Sequence, residues 1–129
     1  MSDKIPEAEL EVLACLDRLG SATVRRLRES MASYRPMAHG SMVTLLKRLQ
    51  GRDLVDRQKG SSGKAFVYST SSRSTDVLAS ALGRIRERVY GGDSVALVAS
   101  LFETAPPDEQ QLAELQELLD SLRDQERGP

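Results

Sequence analysis

The nine residues Ser41-Met42-Val43-Thr44-Leu45-Leu46-Lys47-Arg48-Leu49 constrain the fold more than any other stretch of this chain. Wound as a helix at about 100° per residue, they gather Met42, Leu46 and Leu49 in one narrow sector with Leu45 beside it, and send Gly40, Thr44 and Lys47 the opposite way. One face therefore requires a core. The other carries groups that fit the major groove of duplex DNA: Gly permits close approach, the Thr methyl and hydroxyl can meet thymine or a polar base edge, and Lys can reach guanine or phosphate. A solvated surface helix also shows apolar residues on one side and Thr and Lys on the other. The flanking segments decide between the two readings.

Upstream, Ile5-Pro6-Glu7 predicts the start of a first helix, with Pro tolerated at the first helical position and Glu7, Glu9 and Glu11 favoured at the positive end of the helix dipole. Its apolar side is Leu10, Val12, Leu13, Leu16 and Leu19, and Gly20 ends it. Ser21-Ala22-Thr23 is a short extended link. Thr23 or Ser21 then caps a second helix through about Ala32, with Val24, Leu27 and Met31 facing inward and Arg25, Arg26 and Arg28 on the remaining faces as solvated charges or phosphate contacts. Pro36 breaks the pattern, and the third helix runs from about Ala38 to Arg52. Two short extended runs, Leu54 to Gln58 and Ala65 to Ser69, flank the turn Lys59-Gly60-Ser61-Ser62-Gly63-Lys64 and predict a β-hairpin.

Three helices followed by a hairpin make a winged helix-turn-helix, in which the third helix enters the major groove and the hairpin lies on flanking phosphate or in the minor groove. On this reading Gly40, Ser41, Thr44 and Lys47 face the groove, and His39, Arg48, Lys59 and Lys64 serve phosphate or the wing. Lys59 and Lys64 equally suit a soluble turn that contacts nothing.

Beyond the polar boundary Ser71-Ser72-Arg73-Ser74, a helix capped by Ser74 or Thr75 runs to Tyr90 and stops at Gly91-Gly92. Leu78, Leu82, Ile85 and Val89 form a seam along it. A second helix reaches Glu103 with Val95, Val98 and Leu101 on its apolar side, and Asp108 with Gln111 opens a third, carrying Leu112, Leu115 and Leu119. The expected architecture is mainly α with a small β-hairpin: a winged-helix domain over 1–73 and a three-helix dimerisation domain over 74–129. Three such helices bury little alone, so a homodimer is the economical solution, and its two-fold axis would impose a pseudo-palindromic site. The other arrangement folds the arm back on its own winged helix.

Charge divides along the same line. Residues 1–75 hold 13 Lys/Arg and 8 Asp/Glu, whereas 76–129 hold 5 and 11, although the whole chain is only −1. A basic reader followed by an acidic assembly unit fits contact with polyanionic DNA. No apolar run spans a bilayer, and the N-terminus lacks a signal-peptide order, which predicts a cytoplasmic protein without membrane contact. The single Cys15, set among Val12, Leu13, Leu16 and Leu19, reads as a core residue. With the lone His39 it leaves no zinc cluster, so neither a metal nor another cofactor is expected. His39 has no nucleophile or acid partner at a diagnostic spacing, and the glycines form no phosphate-binding signature, so the chain does not read as an enzyme.

These ordered features resemble the penicillinase-repressor family of winged-helix regulators, which includes the methicillin-resistance repressor and copper-responsive relatives. Ile5-Pro6-Glu7-Ala8-Glu9-Leu10-Glu11-Val12-Leu13 is similar to the family's first helix, where an aromatic commonly stands at the place of Leu10. Ser41 to Leu49 resembles its Thr-Val-x-Thr-x-Leu-x-Arg-Leu helix, and Gly63-Lys64-Ala65-Phe66-Val67-Tyr68 its Gly-Arg-x-x-x-Tyr wing. Val89-Tyr90-Gly91-Gly92 and the Asp108 to Leu119 helix resemble its dimerisation region. The resemblance implies a homodimeric repressor that binds an inverted repeat in a promoter, with Ser41, Thr44 and Lys47 touching DNA. Arg48 matches the family Arg, with phosphate contact and an intramolecular pair as its two options. Asp53 stands where the family usually has Gly.

Relatives in antibiotic systems are released by proteolysis at an Asn-Phe pair, which aligns here with Ser100-Leu101, and copper release needs paired thiolates that one Cys cannot supply. Ser100-Leu101 departs from that pair and gives cleavage no support of its own, so the release route stays open between proteolysis at or near Ser100-Leu101 by a sensor or regulatory protease partner, ligand binding, and partner capture. The reading from another functional class is a winged-helix module that binds protein through the third helix and the arm.

Overall fold

Helix α1 (Glu7–Leu19) opens the computed structural model, which describes residues 4–61 and 65–128. Pro6 is the N-cap rather than the first helical residue, and its carbonyl accepts from Leu10 N at 2.9 Å. After Gly20, strand β1 (Ser21–Ala22) leads into α2 (Val24–Met31), whose cap is the Thr23 hydroxyl accepting from Arg26 N at 3.1 Å. Helix α3 (His39–Gly51) is followed by β2 (Val55–Lys59) and β3 (Phe66–Thr70). The three strands form an antiparallel sheet in the order β1-β3-β2, with Ala22 opposite Tyr68 and Arg57 also opposite Tyr68 on the other side.

The two-residue link after α1 is thus a paired strand that closes the sheet against the helices. Gly60 N donates to Ala65 O at 2.7 Å at the hairpin end, and a Cβ at Gly60 would lie 2.8 Å from that same oxygen. Only glycine permits so close an approach.

The chain divides into two compact units, Met1–Gly83 and Arg84–Pro129. In the first, Val12, Leu13, Cys15 and Leu16 of α1, Leu27 and Met31 of α2, and Met42, Leu46 and Leu49 of α3 meet with Leu54, Val55 and Tyr68 in one core. Cys15 is a buried free thiol. Helix α4 (Ser74–Val89) starts in this unit: Val77 and Leu78 pack against the core, and the buried Ser74 hydroxyl lies 3.3 Å from Asp17 Oδ1. The division falls later than Ser74 because these residues belong to the winged-helix core.

Helix α3 ends in a left-handed turn. Leu54 N donates to Leu49 O and Asp53 N to Gln50 O, both at 3.0 Å, with Asp53 at φ 62° between them. This is the hydrogen-bond pattern in which glycine usually occupies the left-handed position. The Asp53 carbonyl accepts from Ser71 Oγ at 2.7 Å, which fixes the turn to the segment that opens α4.

In the second unit, Gly91 and Gly92 end α4 at φ 59° and 85°, and Asp93 caps α5 (Ser94–Thr104) by accepting from Ala96 N. Helix α6 (Glu109–Arg127) starts with the full capping box of Asp108 and Gln111. No side chain of α5 or α6 is fully buried within the chain. Among the described residues, no helix is long and apolar enough to cross a membrane, and no group of His, Cys, Asp and Glu is placed to hold a metal ion.

Candidate nucleic-acid interface

The orientation of α3 is set from behind and from both ends. Met42, Leu46 and Leu49 are completely buried, which turns the exposed Gly40, Ser41, Thr44 and Lys47 outward. In the loop before the helix, Arg28 Nε donates to Met37 O at 2.8 Å. Arg35 grips Glu11 of α1 through Nε at 2.7 Å and Nη2 at 3.1 Å. The hydrogen bonds from Arg35 and its charge hold the Glu11 carboxyl below its ordinary range, and Glu11 in turn raises the Arg35 guanidinium. The N-cap Ala38 has no side-chain oxygen, so the first-turn N–H groups of α3 beside His39 receive no side-chain cap.

Behind α3, Glu9 does not decorate the start of α1 as its position suggested. It is buried, and its carboxylate faces Arg52 Nε at 3.4 Å and Arg48 Nη1 at 4.0 Å. Arg48, for which phosphate and an intramolecular partner were both open, is directed toward this carboxylate, with its side chain still 61% exposed. Thr44 Oγ1 donates to Gly40 O at 3.0 Å. Its methyl group and its lone pairs remain for a ligand, and its proton does not. Gly40 has nothing within 4 Å of a built Cβ, so no internal contact requires glycine there.

In front of α3 lies a groove of about 570 Å3 lined by Thr23 and Arg25 from the start of α2, His39, Val43 and Lys47 of α3, and Arg57 and Phe66 of the wing. His39 and Lys47 are thus brought together with the wing, whereas Gly40, Ser41 and Thr44 lie on the exposed helix face outside this lining. Arg57 lies over the Phe66 ring with its guanidinium carbon 4.0 Å from the centroid.

Sequence reasoning missed Arg57 and Phe66. The signal was the strand alternation of 2: with Arg57 opposite Tyr68 and Lys59 opposite Phe66, all four side chains share the sheet face of the buried Val55. Lys59 is exposed on β2. Lys64 lies outside the described residues.

A family model described as penicillinase repressor matches residues 5–121, nearly the whole of both units. The chain belongs to the penicillinase repressor family. This makes it a transcriptional regulator of the repressor type and not an enzyme. A curated penicillinase repressor of Staphylococcus aureus is 21% identical over 119 residues, covering 92% of this chain and 93% of the relative.

This member of the family also shares its winged-helix fold with solved regulators of low identity. A MarR mutant from E. coli has a TM-score of 0.58 at 15% identity, covering 92% of this chain and 78% of that one. The same MarR mutant complexed with operator DNA also gives 0.58 at 15% identity, over 81% and 77%. A mutant of ZitR from Lactococcus lactis gives 0.55 at 12% identity, over 97% and 77%.

The residues expected to assemble the repressor fall in two environments. Leu78 packs against the first unit's core, and Leu115 is half-buried with Phe102 and Leu118 around a small apolar cavity of about 280 Å3. Leu82, Ile85, Val89, Val95, Val98, Leu101, Leu112 and Leu119 are exposed, from 45% at Val98 to 77% at Val95. Ser100 and Leu101 lie within α5.

Proposed function

We propose that this chain is a repressor that binds a pseudo-palindromic promoter operator as a homodimer. Helix α3 lies in the major groove with Gly40, Ser41, Thr44 and Lys47 toward the bases, His39 at the helix start near the backbone, and the wing with Lys59 and Lys64 on the flanking DNA. Two domains share the work: a reader, whose core the first turns of α4 help to pack, and an assembly region beyond it. The reading rests above all on one observation, that Lys47, on the face of α3 turned away from the fully buried Met42, Leu46 and Leu49, shares a cation-lined groove with His39 and the wing. The operator complex of a regulator with this fold supports it.

Homodimerisation is supported by the apolar side chains that α4, α5 and α6 leave exposed, since burying each Leu or Val against a second copy stabilises the pair by about 1.5–3 kcal/mol. The protein works in the cytoplasm, where its DNA is, and its release is by a sensor or protease partner, ligand or captured partner.

Sedimentation of the purified chain and a footprint on its own promoter test the reading. A dimer protecting two half-sites one helical turn or a multiple apart, with affinity that falls as salt rises, is the expected result. A lone subunit that protects nothing at low ionic strength would overturn it, and binding to protein alone would favour an interaction module.

A further inference from the structure

Most arginines of the first unit are already engaged by the protein itself. Arg25 pairs with Glu29, Arg35 with Glu11 and Glu7, and Arg48 and Arg52 with Glu9. Arg18, Arg28 and Arg73 donate to Tyr34 Oη, Met37 O and Arg52 O. Arg57 differs, because among the described residues its recorded partner is the Phe66 ring at 4.0 Å. A guanidinium held over a ring by its carbon leaves its N–H donors for other partners, and those donors form a rigid fork that matches a phosphate. Phe66, though 40% exposed, is an aromatic on a strand that points its neighbour Tyr68 into the core. Its exposed ring holds the guanidinium of Arg57 in a groove whose other walls carry Arg25, His39 and Lys47. Asp56 shares strand β2 but belongs to the opposite sheet face by alternation, so among the described residues no carboxylate lines the groove to compete.

We propose that Arg57, held on Phe66, is the wing's principal phosphate contact, clasping the DNA backbone that passes between the recognition helix and the hairpin. This rests on the DNA-binding reading above and assigns the wing's grip to a strand residue rather than to the lysines bracketing its tip. The contact is electrostatic and blind to sequence, so it sets affinity and register without choosing bases.

The test compares the full-length parent with Arg57→Gln, Arg57→Lys, Phe66→Leu and Lys59→Gln on two duplexes, the tightest selected from a random library and a random-sequence one, across a salt series. Arg57→Gln is expected to weaken both duplexes by the same factor and to make the log affinity against log salt slope shallower by about 0.9, the loss of one phosphate contact. Arg57→Lys and Phe66→Leu keep the charge and therefore the slope, but lose several-fold in affinity on both duplexes as the fixed fork is lost. Lys59→Gln changes less than Arg57→Gln. If the parent binds and Arg57→Gln keeps its slope and affinity, or if Lys59→Gln has the larger effect, the assignment of Arg57 is wrong while the DNA reading stands. A parent that binds neither duplex overturns both.

Discussion

Glu9 of α1 stands with Oε1 3.4 Å from Arg52 Nε, just past the end of α3, and its side chain is only 2% exposed. That oxygen accepts no aligned hydrogen bond among the described residues, so its attraction to Arg52 is one of charge. Removing a partner from a buried charge usually costs more than replacing the charge by an apolar group of similar volume. Arg52→Ala is therefore expected to destabilise the protein by about 2–3 kcal/mol, and Glu9→Leu by less. Urea denaturation of both variants checks the order. The reverse order would mean that attraction outweighs the burial penalty at this site.

Thr44 Oγ1 gives its proton to Gly40 O, so a base can meet only the methyl group or an oxygen lone pair. Thr44→Ala is expected to cost on the order of 1–3 kcal/mol on the preferred operator and little on unrelated DNA. Thr44→Val, which keeps the methyl, should retain more operator affinity than Thr44→Ser. Lys47→Ala should lower affinity or relax base preference. Equal binding by all of these variants in a titration would remove α3 from the base contacts.

Asp53 occupies φ 62°, a conformation that costs a residue with a side chain about 1–2 kcal/mol, although Asp tolerates it better than most. Glycine removes that strain but adds freedom to the unfolded chain, a cost of roughly 0.5–1 kcal/mol. Asp53→Gly is thus expected to raise stability by somewhat less than about 1 kcal/mol, and Asp53→Val to lower it by more than that. Thermal unfolding midpoints distinguish the two. A fall with Gly would show that the Asp side chain stabilises the turn.

Local signals made most of this fold legible. The Thr23 cap, the Asp108 and Gln111 capping box and the buried triad Met42, Leu46 and Leu49 all follow from spacing along a single helix. What escaped depends on parts of the chain far apart in sequence. Ser21–Ala22 is a strand only because β3 arrives beside it, and Glu9 is buried only because α3 brings Arg48 and Arg52 to it. Beside Glu7 and Glu11 it looked like one more acidic residue at a positive helix end. The stack of Arg57 on Phe66 needed the register of the hairpin, which a count along either strand alone does not supply.

The bond between Arg35 and Glu11 ties the loop before α3 to α1, and its strength depends on the carboxylate being charged. The Glu11 carboxyl is held below its ordinary value of 4.5, mainly by hydrogen bonds from Arg35. A depressed folded-state value means that its stabilisation is complete above the unfolded value and is lost as pH falls through the folded one. The stability gap between the parent and Glu11→Gln should therefore be widest near neutral pH and close progressively below pH 4.5. Denaturation midpoints measured from neutral to acid pH check this, and a gap that persists undiminished in acid would contradict it.

Leu101 on α5 and Leu119 on α6 are 57% and 49% exposed, so a charge at either place can keep its carboxylate in water in the single chain. In a dimer that covers them, losing the burial of the exposed half of each Leu costs about 0.8–1.5 kcal/mol, and the two-fold axis makes every substitution count twice. Leu101→Glu or Leu119→Glu is thus expected to weaken self-association by on the order of 1.5–3 kcal/mol, roughly tenfold to a hundredfold in the dissociation constant. Sedimentation should then find monomers at concentrations where the parent is paired. Affinity for a full operator should fall toward that for a single half-site, while half-site binding itself is unchanged, because the reader is intact and only the linkage between two readers is gone. Full dimerisation by both variants would place the subunit contact on another face.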